Sequence, residues 1–338
     1  MLKWLAGLGV APHVTFSFYP MPVFLLIIAC ALWALSFPLV KVLHLEQSAR
    51  LPEASSVFLA SWMQFARFGV GVLILLPLVI GRKPPTRNEI HQGLILALWG
   101  GAGMWLQADS LAYTEASTSA FLTQAYCIFL PLWASLRLRR KPGMRVVMAT
   151  SMVMGGGAIL SGISPGNLHL GRGEIETLCA AFLFTFQIIA LENPRFEGNR
   201  GTSVTFIMFL SIAILFLPIT AVVAPDMASC FTAGASFQSF AIITCLALFC
   251  SVGAYLLMNT WQPKVSATEA GLIYTTEPVF TGIYVLFLPA ILGAFIGGLY
   301  PNESVSASML VGGVLIFGAN LMMQWKRPPH LPPAGPVC

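Results

Sequence analysis

The chain predicts an all-α integral membrane fold, with ten transmembrane helices arranged as two inverted five-helix repeats around a central cavity. Three observations carry that expectation: the composition, the spacing of the apolar runs, and a near-constant offset at which one half of the chain aligns with the other. Hydrophobic residues make up 57% and charged residues 9% of the 338 residues, with a mean hydropathy of +0.80. Soluble domains carry roughly 25% charged residues, so the chain reads as a polytopic membrane protein.

A helix crosses the hydrocarbon core with about 20 apolar residues. Runs of that kind fall at residues 22–42, 57–80, 91–113, 117–136 and 144–162, and again at 173–191, 202–224, 237–260, 268–290 and 305–325. The runs are continuous, whereas a barrel strand alternates apolar and polar residues over about ten positions; helices are therefore expected. Residues 1–21 form a mixed segment with Pro12, His13 and Pro20, and Met21, directly before the first run, is an alternative start of translation. Lys326 and Arg327 stop the last run, and the Pro-rich residues 327–338 are expected to be disordered. The two repeats then cover residues 22–165 and 166–326.

Basic residues set the orientation. With the amino end in the cytoplasm, the cytoplasmic segments hold 14 of the 18 Lys and Arg residues, including Arg82, Lys83 and Arg87 after the second run and Arg137, Arg139, Arg140, Lys141 and Arg145 after the fourth. Only Lys41, Arg50 and Arg172 fall on the other side, and Arg67 lies within a run. By the positive-inside rule both termini are cytoplasmic. The net charge of +5 is thus a topology signal, and no nucleic-acid partner is expected. The seven cysteines form no disulfide framework, since Cys30, Cys127, Cys179, Cys245 and Cys250 lie in the runs as small packing residues.

Sliding the chain by about 150 residues places Gly103, Leu106, Thr118, Ala120 and Leu122 on Gly253, Leu256, Thr268, Ala270 and Leu272, and Asp109 on Asn259. Five runs per half is an odd number, so the second half enters the membrane from the opposite side. Loop charge agrees: five basic residues follow the fourth run, and Glu303 with no basic residue follows the ninth. Inverted halves of this kind enclose a cavity that rocking exposes to either side in turn.

Several stretches resemble a known group. They are Trp33-Ala-Leu-Ser-Phe37, Ala66-Arg-Phe68, Ser110-Leu-Ala-Tyr-Thr-Glu-Ala-Ser117, and Thr268-Glu-Ala-Gly through Glu277-Pro-Val-Phe280. In order and placement they resemble the drug/metabolite transporter superfamily, and within it the EamA-like ten-helix carriers, over nearly all of residues 22–326. The resemblance implies a secondary carrier, often an exporter of amino acids or related small metabolites, in the inner (plasma) membrane of a bacterium. It implies a pocket between the halves and names no single substrate. The chain departs from common members in a long first external loop, expected at 43–56, and in Arg137-Leu-Arg-Arg-Lys141 where many relatives have a Gly-Glu pair.

Polar groups in hydrocarbon cost about 2.5 to 3.5 kcal/mol for Arg or Asp at a helix centre, so each needs a partner or a wet cavity. Glu277 stands about ten residues into the ninth run, directly before Pro278, where it either binds a proton, a cation or a substrate amine or serves as hydrogen-bonded glue. Arg67, with Gln64 one turn earlier, either holds a substrate carboxylate through its planar fork or makes a structural contact. Trp33 with Ser36 forms a pocket wall, and Gln187 and Tyr274 are further substrate-binding or coupling residues. Gln107, Gln124, Tyr126, Asn259 and Asn320 are weaker choices, and Asp109 is expected at the external interface in contact with water. Gly155 to Gly157, Gly312 with Gly313, and the Gly293/Gly297 pair are expected to allow close helix approach.

A membrane receptor or scaffold, or an intramembrane enzyme without transport, is the alternative. The five histidines are dispersed with no ligand spacing, so no catalytic residue, metal or cofactor is expected. The expected partners are a small-molecule substrate and the lipid bilayer, with proton or exchange coupling; the sequence leaves the oligomeric state open.

Overall fold

The computed structural model describes residues 20–137, 141, 143–160, 170–265 and 267–324. Arg139, Arg140, His169, the segment through residue 19 and the tail from 325 lie outside them. Every regular element among the described residues is a helix.

Helix α1 (Pro20–Ala34) continues into α2 (Ser36–Arg50) with only Leu35 between them, and Met21–Arg50 is a single 30-residue apolar stretch. The expected helix end at 42 and the loop 43–56 are therefore corrected: the connection is residues 51–55. Hydropathy falls after Val42 because His44, Glu46, Gln47 and Arg50 are polar, yet the first three are buried and satisfied by other elements. His44 Nε2 lies 3.0 Å from the Ala108 carbonyl, Gln47 donates to the Ala233 carbonyl at 3.0 Å, and Glu46 accepts from Ser236 and Ser239.

Helix α3 (Ser56–Val79) is capped by Ser55, which accepts from Phe58 N–H. The next element is α4 (Arg87–Leu96), a π-helical stretch π1 (Ala97–Gly101) and α5 (Ala102–Ser110) in one run. The fourth run is broken into α6 (Ala116–Thr123) and α7 (Tyr126–Arg137), and α8 (Met144–Leu160) follows. The second half holds α9 (Arg172–Leu191), α10 (Gly201–Val223), the short α11 (Met227–Thr232), then α12 (Phe237–Cys245), π2 (Leu246–Gly253) and α13 (Ala254–Trp261) as one run. The ninth run is three helices, α14 (Ala267–Tyr274), α15 (Glu277–Tyr284) and α16 (Leu288–Ile296), and α17 (Ala307–Gln324) comes last.

Five stretches among the described residues are long and apolar enough to span a membrane: Met21–Arg50, Ser56–Val79, Arg172–Leu191, Gly201–Val223 and Phe237–Lys264. A sixth is α15 with α16, taken as one span bent by 58°. The other expected runs are helical but short, broken, or diluted by polar residues such as Gln107 and Asp109.

The helices pack in pairs: α3 along α10, α8 along α17, α5 against α9, and α1 against α13 and α15. Phe68 meets Phe209 edge to face at 4.8 Å between ring centres in the α3–α10 contact, and a Cβ on Gly71 would come within 2.8 Å of the Phe209 ring. Gly156 brings α8 so near α17 that a Cβ there would lie 2.7 Å from the Gly312 carbonyl oxygen. The Gly293/Gly297 pair acts differently from the expected helix contact. Gly297 closes α16 in the left-handed conformation at φ 68°, which costs a glycine little, and Gly293 backs onto Tyr300 just beyond that turn.

Polar clusters tie the two ends of the bundle. At one end Thr86 and Glu89 form a capping box at the start of α4, ahead of the expected third span. Arg200 grips Glu89 through Nε and Nη2, each at 2.8 Å, and donates to the Lys83 and Pro84 carbonyls at 2.9 Å. The Arg200 guanidinium pulls the Glu89 carboxyl from its ordinary 4.5 down to about 2. The sign follows: a carboxyl depressed by folding stabilises the fold fully above 4.5 and loses that contribution as pH falls toward 2. Thermal unfolding in detergent is expected to show an acid-sensitive component between those values that Glu89→Gln removes; an unchanged acid profile in the variant would show that this clasp contributes nothing.

At the other end Lys41 pairs with Glu115 at 2.8 Å and donates to the Thr114 carbonyl at 2.9 Å. Arg172 pairs with Asp109, reaches Glu176 at 2.7 Å and stacks over the Tyr113 ring at 4.4 Å. Asp109 was expected in interfacial water and is instead buried against this guanidinium, because α9 starts beside the end of α5 and brings Arg172 to it.

Candidate functional site

The polar residues of the spans meet at a cavity of about 70 Å³ in the middle of the bundle, room for a few waters. Trp33 and Ser36 reach it from α1 and α2, Arg67 from α3, Gln187 from α9, Tyr274 from the end of α14 and Glu277 from the start of α15. These are the sequence-derived residues, with one exception. Gln64 does not line the cavity; it is fully buried, and its amide donates to the Gly101 carbonyl in π1 at 3.3 Å.

Glu277 owes its place to a helix break. Helix α14 ends at Tyr274, Thr275 and Thr276 form a turn, and Glu277 begins α15 with Pro278 next to it. Proline fits the first turn because the N–H it lacks has no helical acceptor there. So Pro278 starts a new helix inside the expected ninth run. The carboxylate takes no hydrogen bond or ion pair among the described residues, and its residual 8% exposure opens onto the cavity.

Arg67 is held from the opposite wall. Its Nε donates to Ser251 Oγ at 2.5 Å and its Nη2 to the Cys250 carbonyl at 3.2 Å, both in π2. Ser251 Oγ in turn donates to the Leu246 carbonyl at 3.1 Å, five residues back, which is the spacing of a π turn. Nη1 is left uncommitted among the described residues, and no carboxylate there lies within ion-pair distance of Arg67.

Tyr255 lines the cavity together with Arg67 and Glu277. The site therefore combines a basic group, an acidic group and aromatic surface. Trp33 and Gln187 line the cavity, while Trp33 Nε1 and Gln187 Nε2 are themselves buried with no hydrogen-bond partner among the described residues. Gln107 also lines it, donating to Thr123 Oγ1 at 2.8 Å. Asn259 instead bonds Thr205 between helices, and the Asn320 side chain is outside the described residues.

Sequence reasoning missed Tyr255 and the methionines Met63, Met104 and Met258, which complete the walls. No signal separates the methionines from lipid-facing apolar residues. Tyr255 was open to detection as a phenol near the middle of the eighth run.

Residues 20–162 match the EamA-like transporter family. The first half of the chain is similar to that family. The match covers the first half of the helical array and, with the apolar helices, supports a membrane transporter of the drug/metabolite type. No curated protein matches the chain. A solved chain described only as the crystal structure of a protein is similar at 15% identity and a TM-score of 0.56, over 90% of this chain and 96% of that one. That likeness is one of fold and runs through both halves of the chain.

Proposed function

We propose that this EamA-like protein is a secondary carrier that moves a small zwitterion, an amino acid or related compound, out of the cell by alternating access. The observation that carries the reading is the pair of oppositely ionisable groups, Arg67 and Glu277, on one buried cavity, neither with an ion-pair partner among the described residues. Each charge is costly inside a bilayer unless something neutralises it. A carboxylate on Arg67 and an amine on Glu277 would neutralise both at once.

Two inverted repeats, 22–165 and 166–326, support the rocking mechanism. The π stretches begin at Ala97 and Leu246, and the breaks fall at Thr123 to Tyr126 and Tyr274 to Glu277, again about 150 residues apart. Packing exchanges in the same way: α1 meets α13 and α15 as α9 meets α5, α6 and α7. Helices α1 and α9, each wedged among elements of the other half, are the levers of such a motion.

The test is counterflow in proteoliposomes with labelled amino acids. Saturable exchange supports a carrier, and chemical turnover of a substrate without movement would replace it with an enzyme. Ten spans with cytoplasmic termini further require a reporter fused after Arg140 to read cytoplasmic and one at Asp226 to read external. Both on one side would remove the inverted arrangement.

A further inference from the structure

We infer that the Asp109 and Glu176 carboxyl groups, where α9 starts against the end of α5, share a single bound proton and form a proton-binding site separate from the central cavity. The inference goes beyond the carrier reading and does not depend on it.

The two helices are pressed together there. A Cβ on Gly173 would lie 2.9 Å from the Ser110 carbonyl oxygen, and Thr177 Oγ1 is 3.0 Å from Ser110 Oγ. The approach brings the Glu176 carboxyl within hydrogen-bond reach of the Asp109 carboxyl. Arg172 is spent on one oxygen of each: Nη2 donates to Asp109 Oδ2, and Nε to Glu176 Oε1 at 2.7 Å. Asp109 Oδ1 and Glu176 Oε2 are left over, both buried and without a donor, and Asp109 as a whole is 3% exposed. One guanidinium offsets one of two carboxylates, and like charges in contact are costly to ionise together. A proton on one carboxyl, donated to the other, removes the surplus charge and supplies the missing donor at once. Neither carboxyl lines the central cavity.

The titratable groups around the pair are engaged elsewhere. The Tyr113 hydroxyl accepts from Arg172 Nη1 at 2.6 Å, Glu174 accepts from Thr114 at 2.8 Å, and Lys41 is paired with Glu115. His44 of α2 turns Nε2 to the Ala108 carbonyl, and its Nδ1 is buried with no partner. Of the other elements packed on α5 and α9, α6 and π1 carry no titratable side chain, and Arg67 of α3 is held at π2. In α7, Tyr126 bonds Gln124 and Cys127 the Gly271 carbonyl, while Glu89 and His91 of α4 lie toward the opposite end of the bundle.

Amide variants copy the protonated pair. Glutamine at 176 or asparagine at 109 keeps an acceptor for Arg172 and offers an N–H to the remaining carboxylate. The experiment takes infrared spectra and melting temperatures of the purified full chain in detergent, comparing wild type with Glu176→Gln, Asp109→Asn and Glu277→Gln. Wild type is expected to show a protonated-carboxyl absorption at neutral pH that Glu176→Gln and Asp109→Asn each lose and Glu277→Gln leaves in place. Linkage gives the sign for stability: a fold that holds a proton the unfolded chain has released is destabilised as pH rises. Wild type is therefore expected to melt progressively lower from neutral to alkaline pH, with a component of that fall missing from both amide variants. No such absorption in wild type, an absorption that survives either amide change, or a parallel fall in all the proteins would each overturn the shared proton. A rise in melting temperature with sodium at fixed pH, lost in both amide variants, would assign the pair to a metal ion and overturn it as well. Should one amide variant fail to fold, the other carries the same comparison.

Discussion

Glu277→Gln is expected to lower substrate flux about a hundredfold while expression and helix content stay at the wild-type level. Glutamine keeps the shape of the side chain at the start of α15 and removes its charge. Because Glu277 has no partner among the described residues, the change breaks no internal bond and the fold has little to lose. Substrate cation binding has everything to lose. If Glu277 also carries the coupling proton, the variant's residual flux becomes independent of pH across a range in which the wild type varies. Flux assays in proteoliposomes at several pH values read both effects, and a variant with wild-type rate and pH profile would reduce Glu277 to a structural residue.

Arg67 separates charge from shape. Arg67→Lys keeps a cation but replaces the planar fork with a point charge on a shorter reach, so it loses the fixed geometry that holds Ser251 and the Cys250 carbonyl while presenting Nη1 to a substrate. Affinity for a carboxylate substrate is expected to fall about tenfold to a hundredfold. Arg67→Ala additionally leaves the Cys250 carbonyl without this donor in a dry site, a cost of about 1 to 3 kcal/mol visible as a lower melting temperature. The decisive comparison uses the methyl ester of the substrate, which has no carboxylate. Wild type should discriminate strongly against the ester and Arg67→Lys only weakly. Equal discrimination by both proteins would assign Arg67 to holding π2 in place and nothing more.

The site was legible where a residue type is out of place in hydrocarbon. Arg67, Glu277 and Gln187 stand out because each is costly in an apolar run, and Trp33 because it is a large ring beside a serine in a family-like motif. The cavity's apolar walls were not legible, since Met104 or Met258 toward the cavity has the same composition as a methionine toward lipid. The fold shows the converse failure. Polar residues of α2 looked like a loop because hydropathy cannot see that Ala108, Ala233 and Ser239 will receive them. Asp109 looked like a surface residue because Arg172 is far away in sequence. In each case the missing information was a partner on another helix.

The π2 stretch makes one demand that no single substitution reveals. In a regular α-helix, residues five apart are turned about 140° from one another, which would swing Tyr255 away from the face that carries Cys250. A π stretch, bonded from i to i+5, turns less per residue and so brings the two closer to one face; Arg67, anchored on the Cys250 carbonyl, and Tyr255 line the same cavity. What is specified there is therefore a count, indifferent to chemistry. Deleting one residue between 246 and 253, even an alanine among alanine-like neighbours, restores a uniform coil and rotates everything downstream of it. Insertions and deletions, more than exchanges, are the lesions to which this helix is vulnerable.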